Sequence, residues 1–250
     1  MTSIIIPYRN RKKHLDFFLQ YTAPLLQKHI NNCEIIIVEQ TDGKLFNRGK
    51  LLNIGFIETE YCNYFVAHDV DVNPFEKTIK KFYLEELEDE IQGIYTPATD
   101  TLGGIVKFSK ETYYKVNGFP NDIWGWGMED IVFQNRVKFR NIRIKKNILD
   151  NSLSKDLWFK IFNDVDDRLL GKDWSNARFW DVQHLHRTPQ LVRERRLTSN
   201  GLSDLEYTIK GTDHVGDNIK KIIVDIGGSR EKNISNSLND VYKKAYSINI

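Results

Sequence analysis

Two rhythms of hydrophobic positions run along the chain, short unbroken apolar runs and stripes at helical spacing, and their order predicts the architecture. Ser3–Pro7 reads as a buried strand followed by a turn at Tyr8-Arg9-Asn10-Arg11. Leu15, Phe18, Leu19, Thr22, Leu25 and Leu26 then recur at helical spacing, with Pro24 expected to kink or break the helix. Glu34–Glu39 carries Ile35-Ile36-Ile37-Val38, the continuous apolar run of a strand covered on both faces in a parallel sheet. After a turn at Thr41-Asp42-Gly43, Asn47 or Arg48 opens a helix bearing Leu51, Leu52, Ile54 and Phe56. Tyr64-Phe65-Val66-Ala67 is a third strand, ending at His68-Asp69-Val70-Asp71.

The resulting β-α-β-α-β order predicts an α/β fold, a mostly parallel central sheet flanked by helices. Ligands of such sheets lie beyond the carboxyl ends of the strands. Tyr8–Arg11, Glu39-Gln40-Thr41 and Asp69–Asp71 all follow strands, so they are expected on one edge as one site. Downstream the pattern predicts a helix over about 76–90, a strand near Gly93–Tyr95, a second at Leu102–Phe108 and a helix at Lys110–Asn117. Gly118-Phe119-Pro120 leads to the stretch Trp124-Gly125-Trp126-Gly127-Met128-Glu129-Asp130, and Ile131, Val132, Phe133 and Val137 mark the helix behind it. Strands are expected at Arg140–Ile148, Asp181–His186 and Lys221–Ile226, with a basic helix at Pro189–Leu197. Residues 150–180, charged and without a clear period, read as an insertion with some helix in a single domain over 1–250, and 228–250 as a polar tail of uncertain order.

Composition adds mainly exclusions. Hydrophobic content of 40% and charged content of 28% over 250 residues are those of an ordinary globular protein with a real core. A net charge of +2 gives no general affinity for nucleic acid. Cys33 and Cys62 form no CxxC pair, which argues against a thiolate zinc site; two reduced thiols are expected rather than a disulfide. No apolar run approaches the ~18 residues of a membrane span. The expectation is a cytoplasmic protein, peripheral at the membrane if it meets one, or else a trimmed catalytic domain.

Several groups carry chemistry. Glycines beside tryptophans at 124–127 suit a mobile aromatic lid, with Glu129 and Asp130 at the mouth of a site; the plainer alternative is two acids capping a helix. Asp69-Val70-Asp71 brings two acids out at a sheet edge on alternating sides, where a divalent cation would compensate their charge. A second copy, Asp164-Val165-Asp166, has no strand before it and reads as a solvated turn. His184-Leu185-His186, on a predicted strand, puts both imidazoles on one face; with carboxylates nearby that set favours Mn²⁺ over Mg²⁺, and zinc stays open on ligand type.

With those residues in view, the chain resembles the β-1,4-galactosyltransferases of glycosyltransferase family 7, metal-dependent inverting enzymes of the GT-A (Rossmann-like) fold. The matching pieces occur in order: Ile6–Arg11, Phe46–Phe56, His68–Asp71, Gly103-Gly104, Asn117–Pro120 with Trp124–Asp130, Asn200–Leu205 and Val224–Gly227. The resemblance implies that Pro7, Tyr8, Arg9 and Arg11 hold the uridine and diphosphate of a UDP-sugar, with Phe46 and Arg48 nearby. It implies Asp71 as a Mn²⁺ ligand together with His184 and His186, and Asp69 and Val70 along the ribose and sugar. Trp126 would belong to the closing loop, Glu129 would meet the acceptor, and Asp130 would be the catalytic base.

Two departures bear on specificity. Ile131 and Val132 follow Glu129-Asp130 where relatives commonly carry more acids, which puts the acceptor in question more than the base. Two residues before Gly103-Gly104, where tyrosine is common and restricts donors to galactose, the chain has Thr101, so UDP-GalNAc is a donor candidate beside UDP-Gal, with UDP-GlcNAc open. Basic residues in Arg187–Arg196 could attract an anionic lipid-linked acceptor, although basic residues on a helix are more often simply solvated. The leading expectation is an inverting transfer of Gal or GalNAc to a carbohydrate-containing acceptor. Its rivals are a non-catalytic sugar- or nucleotide-binding module of the same fold and a metal-dependent nucleotide-sugar hydrolase.

Overall fold

The structure, a computed structural model, describes residues 1–44, 46–96, 101–124, 129–146, 159–161 (backbone only) and 200–227. Its centre is β1 (Thr2–Tyr8), which pairs in parallel with both β2 (Cys33–Gln40) and β3 (Tyr64–His68). Every residue of β1 is buried. Its isoleucines divide by strand alternation: Ile5 joins a core cluster on one face with Ile36 and Val38, while Ile4 and Ile6 join the opposite cluster with Ile35 and Ile37. Fully burying each such side chain stabilises the fold by about 1.5–3 kcal/mol. The unbroken isoleucine run is therefore what a strand needs when helices cover both faces of its sheet.

Beyond β3 the sheet continues antiparallel with β6 (Ile105–Ser109) and β5 (Glu90–Tyr95), then parallel with β7 (Arg143–Lys146). On the other side β2 pairs in parallel with β10 (Ile219–Asp225), which pairs antiparallel with β9 (Thr208–Gly216). The strand order is β7-β5-β6-β3-β1-β2-β10-β9. A separate two-stranded ribbon joins β4 (Val72–Pro74) to β8 (Phe159–Ile161), a strand within the expected insertion.

One face is covered by α3 (Arg48–Glu58), α5 (Lys110–Lys115) and α6 (Glu129–Phe139). Helix α3 can lie close on the sheet because a Cβ on Gly55 would come within 2.3 Å of Ile5. The other face carries α1 (Lys12–Phe17), a π-helical turn (Phe18–Thr22) and α2 (Ala23–His29). The break expected at Pro24 takes this form: a π-turn runs up to the residues before it, and the proline, which has no N–H to donate, stands in the first turn of α2. Cys33 and Cys62 are buried and free in the two opposite clusters.

The structure corrects several boundaries. The helix expected over 76–90 is α4 (Glu76–Thr78) with a π-turn at Ile79–Tyr83, and stops there. Lys107, reaching over from β6, donates to the Tyr83 carbonyl at 2.7 Å and to that of Glu85, taking up carbonyls a longer helix would use. Strand β7 begins at Arg143 rather than Arg140, because α6 runs on to Phe139 and Arg140 still bonds back to Arg136. Strand β9 was not expected at all. Its side chains are almost all exposed, so the sequence carries no apolar alternation there. Trp126, the strand Asp181–His186 with His184 and His186, the helix Pro189–Leu197 and the tail lie outside the described residues.

Candidate active site

The carboxyl ends of β1, β2 and β3 meet at one edge, where Gln40 fixes the start of α3. Its side chain accepts from the Asn47 N–H at 2.9 Å, and the Asn47 side chain caps the helix by accepting from Lys50 N–H at 2.9 Å. This delivers Arg48, the first residue of α3, into the interior, where it is only 6% exposed. Its Nε donates to Asp69 Oδ1 at 2.7 Å, its Nη1 lies 3.6 Å from Glu129 Oε1, and its guanidinium faces the Phe119 ring at 5.7 Å. Burial works against this charge, but Asp69 and then Glu129 outweigh it, so Arg48 stays protonated. Two of its buried nitrogens, Nη1 and Nη2, have no hydrogen-bond partner among the described residues.

Asp69 belongs to a turn after β3: Val72 N–H bonds to its carbonyl, and its own N–H bonds to the Gly104 carbonyl at 3.1 Å. Val70 points into the second core cluster, which pins the turn. Asp71 emerges on the other side and accepts from Arg11 Nη1 at 3.0 Å. The two acids thus leave the strand in different directions, as expected. Arg9 lies over the Phe46 ring at 5.5 Å and donates to the Lys44 carbonyl. Pro7 and Tyr8 end β1 at the same edge and are buried, Tyr8 within the second core cluster.

Glu129 and Asp130 begin α6 opposite this turn. Burial raises the pKa of both; for Glu129 its neighbour Asp130 adds to the effect, and for both Arg48 opposes it. The Asp130 carboxylate lies against Gly103, where an added Cβ would come within 2.7 Å of its Oδ2. Gly104 has φ +73° and is overlaid by Tyr95, whose ring would meet any Cβ there at 2.7 Å. Thr101 is buried beside these glycines, its Oγ1 without a hydrogen-bond partner among the described residues. The acids at 129 and 130 do open a helix, so the capping reading holds in part. Their burial beside Arg48 is more than capping requires.

The described residues therefore gather Arg11, Arg48, Asp69, Asp71, Thr101, Gly103, Gly104, Glu129 and Asp130 at one edge. Among them no group of three His, Cys, Asp or Glu side chains has metal-binding geometry. Asp71 supplies hard oxygen donors at the rim, which suit Mn²⁺, and His184 and His186 lie outside the described residues.

Sequence reasoning missed three contributors. Tyr95 packs on Gly104, and both Asp71 and Asp69 raise its phenol pKa further after burial. Lys146, at the end of β7, donates to the Thr101 carbonyl at 2.6 Å. Asn121, just before the tryptophan stretch, is joined to Asn47, Asn53 and Gly201 by hydrogen bonds of 2.7–2.9 Å. Only Asn117–Pro120, next to Asn121, carried any signal, as part of a recurring string.

Comparison with known proteins identifies the family. Residues 1–83 match the N-terminal region of glycosyl transferase group 7, and residues 90–152 match the N-terminal domain of galactosyltransferase. Bovine β-1,4-galactosyltransferase 1 is 38% identical over 153 residues, 58% of this chain and 38% of that protein. Rat β-1,4-galactosyltransferase 4 is 31% identical over 224 residues, 85% of this chain and 60% of its own length. The chain thus spans between about two fifths and three fifths of these relatives. A crystal structure of a mutant Drosophila β-1,4-galactosyltransferase 7 with manganese, UDP-Gal and xylobiose superposes with a TM-score of 0.71 at 20% identity, over 92% of this chain and 96% of that one. The fold is GT-A, and the chain belongs to glycosyltransferase family 7, the family of the β-1,4-galactosyltransferases.

Proposed function

We propose that this chain is an inverting, Mn²⁺-dependent glycosyltransferase that moves galactose or N-acetylgalactosamine from a UDP-sugar to a hydroxyl of a carbohydrate acceptor. The observation that carries it is the buried set of Arg48 with Asp69, Glu129 and Asp130 at the edge that also bears Arg11 and Asp71. A pure binding module gains nothing from two carboxylates whose pKa burial has raised, whereas a transferase needs a base held ready at the sugar. The names of relatives at 31–38% identity support galactosyl transfer, and the fold neighbour's complex makes manganese the cation to test first.

In this reading Asp130 takes the proton of the acceptor hydroxyl as its oxygen attacks the anomeric carbon. The bond to the UDP β-phosphate oxygen breaks in the same displacement, so an α-linked donor gives a β-linked product. Arg11, Arg9 and Arg48 hold the diphosphate and sugar side, and guanidinium donors suit phosphate oxygens. Asp71, His184 and His186 would hold Mn²⁺, which when bound supplies charge to stabilise the departing diphosphate. Trp126 would close over the donor.

The finer donor choice rests on Thr101. Thr101 is smaller than tyrosine, and its buried hydroxyl, without a hydrogen-bond partner among the described residues, could serve as a polar partner for an N-acetyl group. The acceptor is a glycan, glycolipid or glycoprotein sugar, a lipid-linked one included. The test is UDP release from a panel of UDP-sugars, with Mn²⁺ or EDTA, with and without sugar acceptors. Mn²⁺-dependent release stimulated by an acceptor is expected, and release that no acceptor stimulates would point instead to a hydrolase. Asp130→Asn should retain UDP binding while transfer falls about 10²–10⁴-fold; wild-type transfer by that variant would remove Asp130 as the base. Thr101→Tyr should shift the donor ratio toward UDP-Gal, and an unchanged ratio would discard the role given to Thr101.

A further inference from the structure

The helices that cover the second core cluster present an outer face rich in lysine. Along α1, α2, α4 and their π-turns the exposed positions include Lys12, Lys13, Lys28, Lys77, Lys80 and Lys81. The same segments carry just two acids, Asp16 and Glu76. Asp16 pairs with Lys12, and Glu76 is shared among Lys28, Lys80 and His29, at 3.7, 2.9 and 2.8 Å. Along these segments six exposed lysines stand against two carboxylates, on a chain whose net charge is only +2.

The same segments and their edges also expose rings. Tyr21 is 51% and Phe75 36% exposed, and Tyr21 leans on Phe17 at 4.6 Å. The buried bond from Thr22 Oγ1 to Asn73 Oδ1, 2.7 Å, locks the π-turn onto β4, and the shared Glu76 ties α2 to α4. Tyr21, next to Thr22, and Phe75, two residues beyond Asn73, are therefore carried on one rigid layer. The acidic run that starts at Glu85 bounds this layer beyond Leu84.

We propose that this face docks on an anionic lipid bilayer, with the lysines at the headgroups and Tyr21 and Phe75 entering the interface. Charge complementarity selects an anionic surface, since lysines near such a surface each add attraction that salt screens. The exposed rings select lipid over an acidic protein, because part-apolar side chains between lysine stems match the headgroup boundary. One end of the face adjoins the candidate active site, where Lys12 follows Arg11. Docking would therefore hold the site's mouth beside the membrane, within reach of a lipid-linked acceptor; that last step rests on the proposed transferase reading, while docking does not.

Vesicle sedimentation of the full chain, without donor or acceptor, tests it. The protein should sediment with phosphatidylcholine vesicles containing about one-third phosphatidylglycerol and not with pure phosphatidylcholine. Binding should fall at least about tenfold as salt rises from ~50 to ~300 mM. The combined Lys13→Gln, Lys28→Gln, Lys77→Gln, Lys81→Gln variant should lose at least about tenfold at low salt, each single change showing part of the loss. Tyr21→Ser with Phe75→Ser should lose severalfold and leave the salt dependence intact. Lys115→Gln with Lys210→Gln, on other elements, should bind as wild type. Absence of binding to the anionic vesicles at low salt would overturn the proposal, as would an equal loss in the Lys115/Lys210 control. Capture by poly-glutamate without vesicle binding would replace the bilayer with an acidic polypeptide. Unfolding midpoints of all variants distinguish lost docking from lost fold, and UDP release measured separately keeps the catalytic reading independent.

Discussion

Asp69 and Asp71 are two residues apart on one turn, and each pairs with an arginine, yet the two pairs differ in kind. Arg48 is 6% exposed and holds Asp69 at 2.7 Å while facing Glu129 at 3.6 Å. Arg11 approaches Asp71 at 3.0 Å from the rim, with side chains 14% and 19% exposed. The first pair is part of the interior: it neutralises a carboxylate cluster that includes the proposed base. The second can part at little cost, because water can replace either partner. That is the property wanted where a cation and a diphosphate must enter, and Val70, sunk into the core between them, keeps the two sides from exchanging roles.

The largest expected effect breaks the sealed pair. Arg48→Met should cost about 3–5 kcal/mol of stability, because it leaves Asp69 and Glu129 without their counter-charge. Arg11→Met should cost about 1 kcal/mol or less and instead raise the donor KM. Denaturant unfolding measures both; equal losses would erase the distinction. Gly103→Ala comes next. Its methyl would press on the Asp130 carboxylate at 2.7 Å, so transfer should fall about 10²-fold while the unfolding midpoint moves little. Undiminished transfer would mean that Asp130 acts from another position.

The pH dependence sharpens the same contrast. Burial raises the pKa of Asp130, and a base works only when ionised, so transfer should decline on its acid side above the ordinary carboxylate range of about 4. Arg48 opposes that rise, so a folded Arg48→Met protein should show its acid limb shifted to still higher pH. Stability carries the opposite sign. With Glu129 and Asp130 raised, the folded chain binds more protons than the unfolded one between the two pKa values, so stability falls as pH increases through that window. Glu129→Gln should flatten the fall, and a stability profile unaltered by that change would show Glu129 unperturbed.

Much of this was legible in the sequence. The isoleucine runs specify strands covered on both faces, and the order of strands and helices places Tyr8–Arg11 and Asp69–Asp71 on one edge before any coordinate is known. Asn47 as a helix cap is a local signal and was readable. What the sequence hid depends on contacts across the sheet. The helix after Glu76 stops where Lys107 arrives from 24 residues away to claim the Tyr83 carbonyl. Strand β9 forms because β10 offers it a free edge, although its own exposed residues lack any apolar alternation. The burial of Arg48 escaped notice too, since nothing in Asn47-Arg48-Gly49 says that its guanidinium will be enclosed by residues from three other segments.

Lys146 is the smallest test and bears on how the two sides are held in register. It ends the edge strand β7, and its ammonium bonds to the Thr101 carbonyl at 2.6 Å. From Thr101 the chain runs through three further ties: Leu102 N–H to the Asp130 carbonyl at 3.4 Å, Gly103 beneath the Asp130 carboxylate, and the Gly104 carbonyl to Asp69 N–H at 3.1 Å. The loop is thus anchored to the base on one side and to the Asp69 turn on the other, with Lys146 fixing where it begins. Removing the ammonium breaks no catalytic contact, so Lys146→Met should leave kcat within about twofold and raise the donor KM severalfold, about 1 kcal/mol for one charge-assisted hydrogen bond. The change should be larger for the donor whose C2 substituent meets Thr101. A matching fall in kcat would instead mean that the loop positions Asp130, shifting the origin of the base's geometry from α6 to β7.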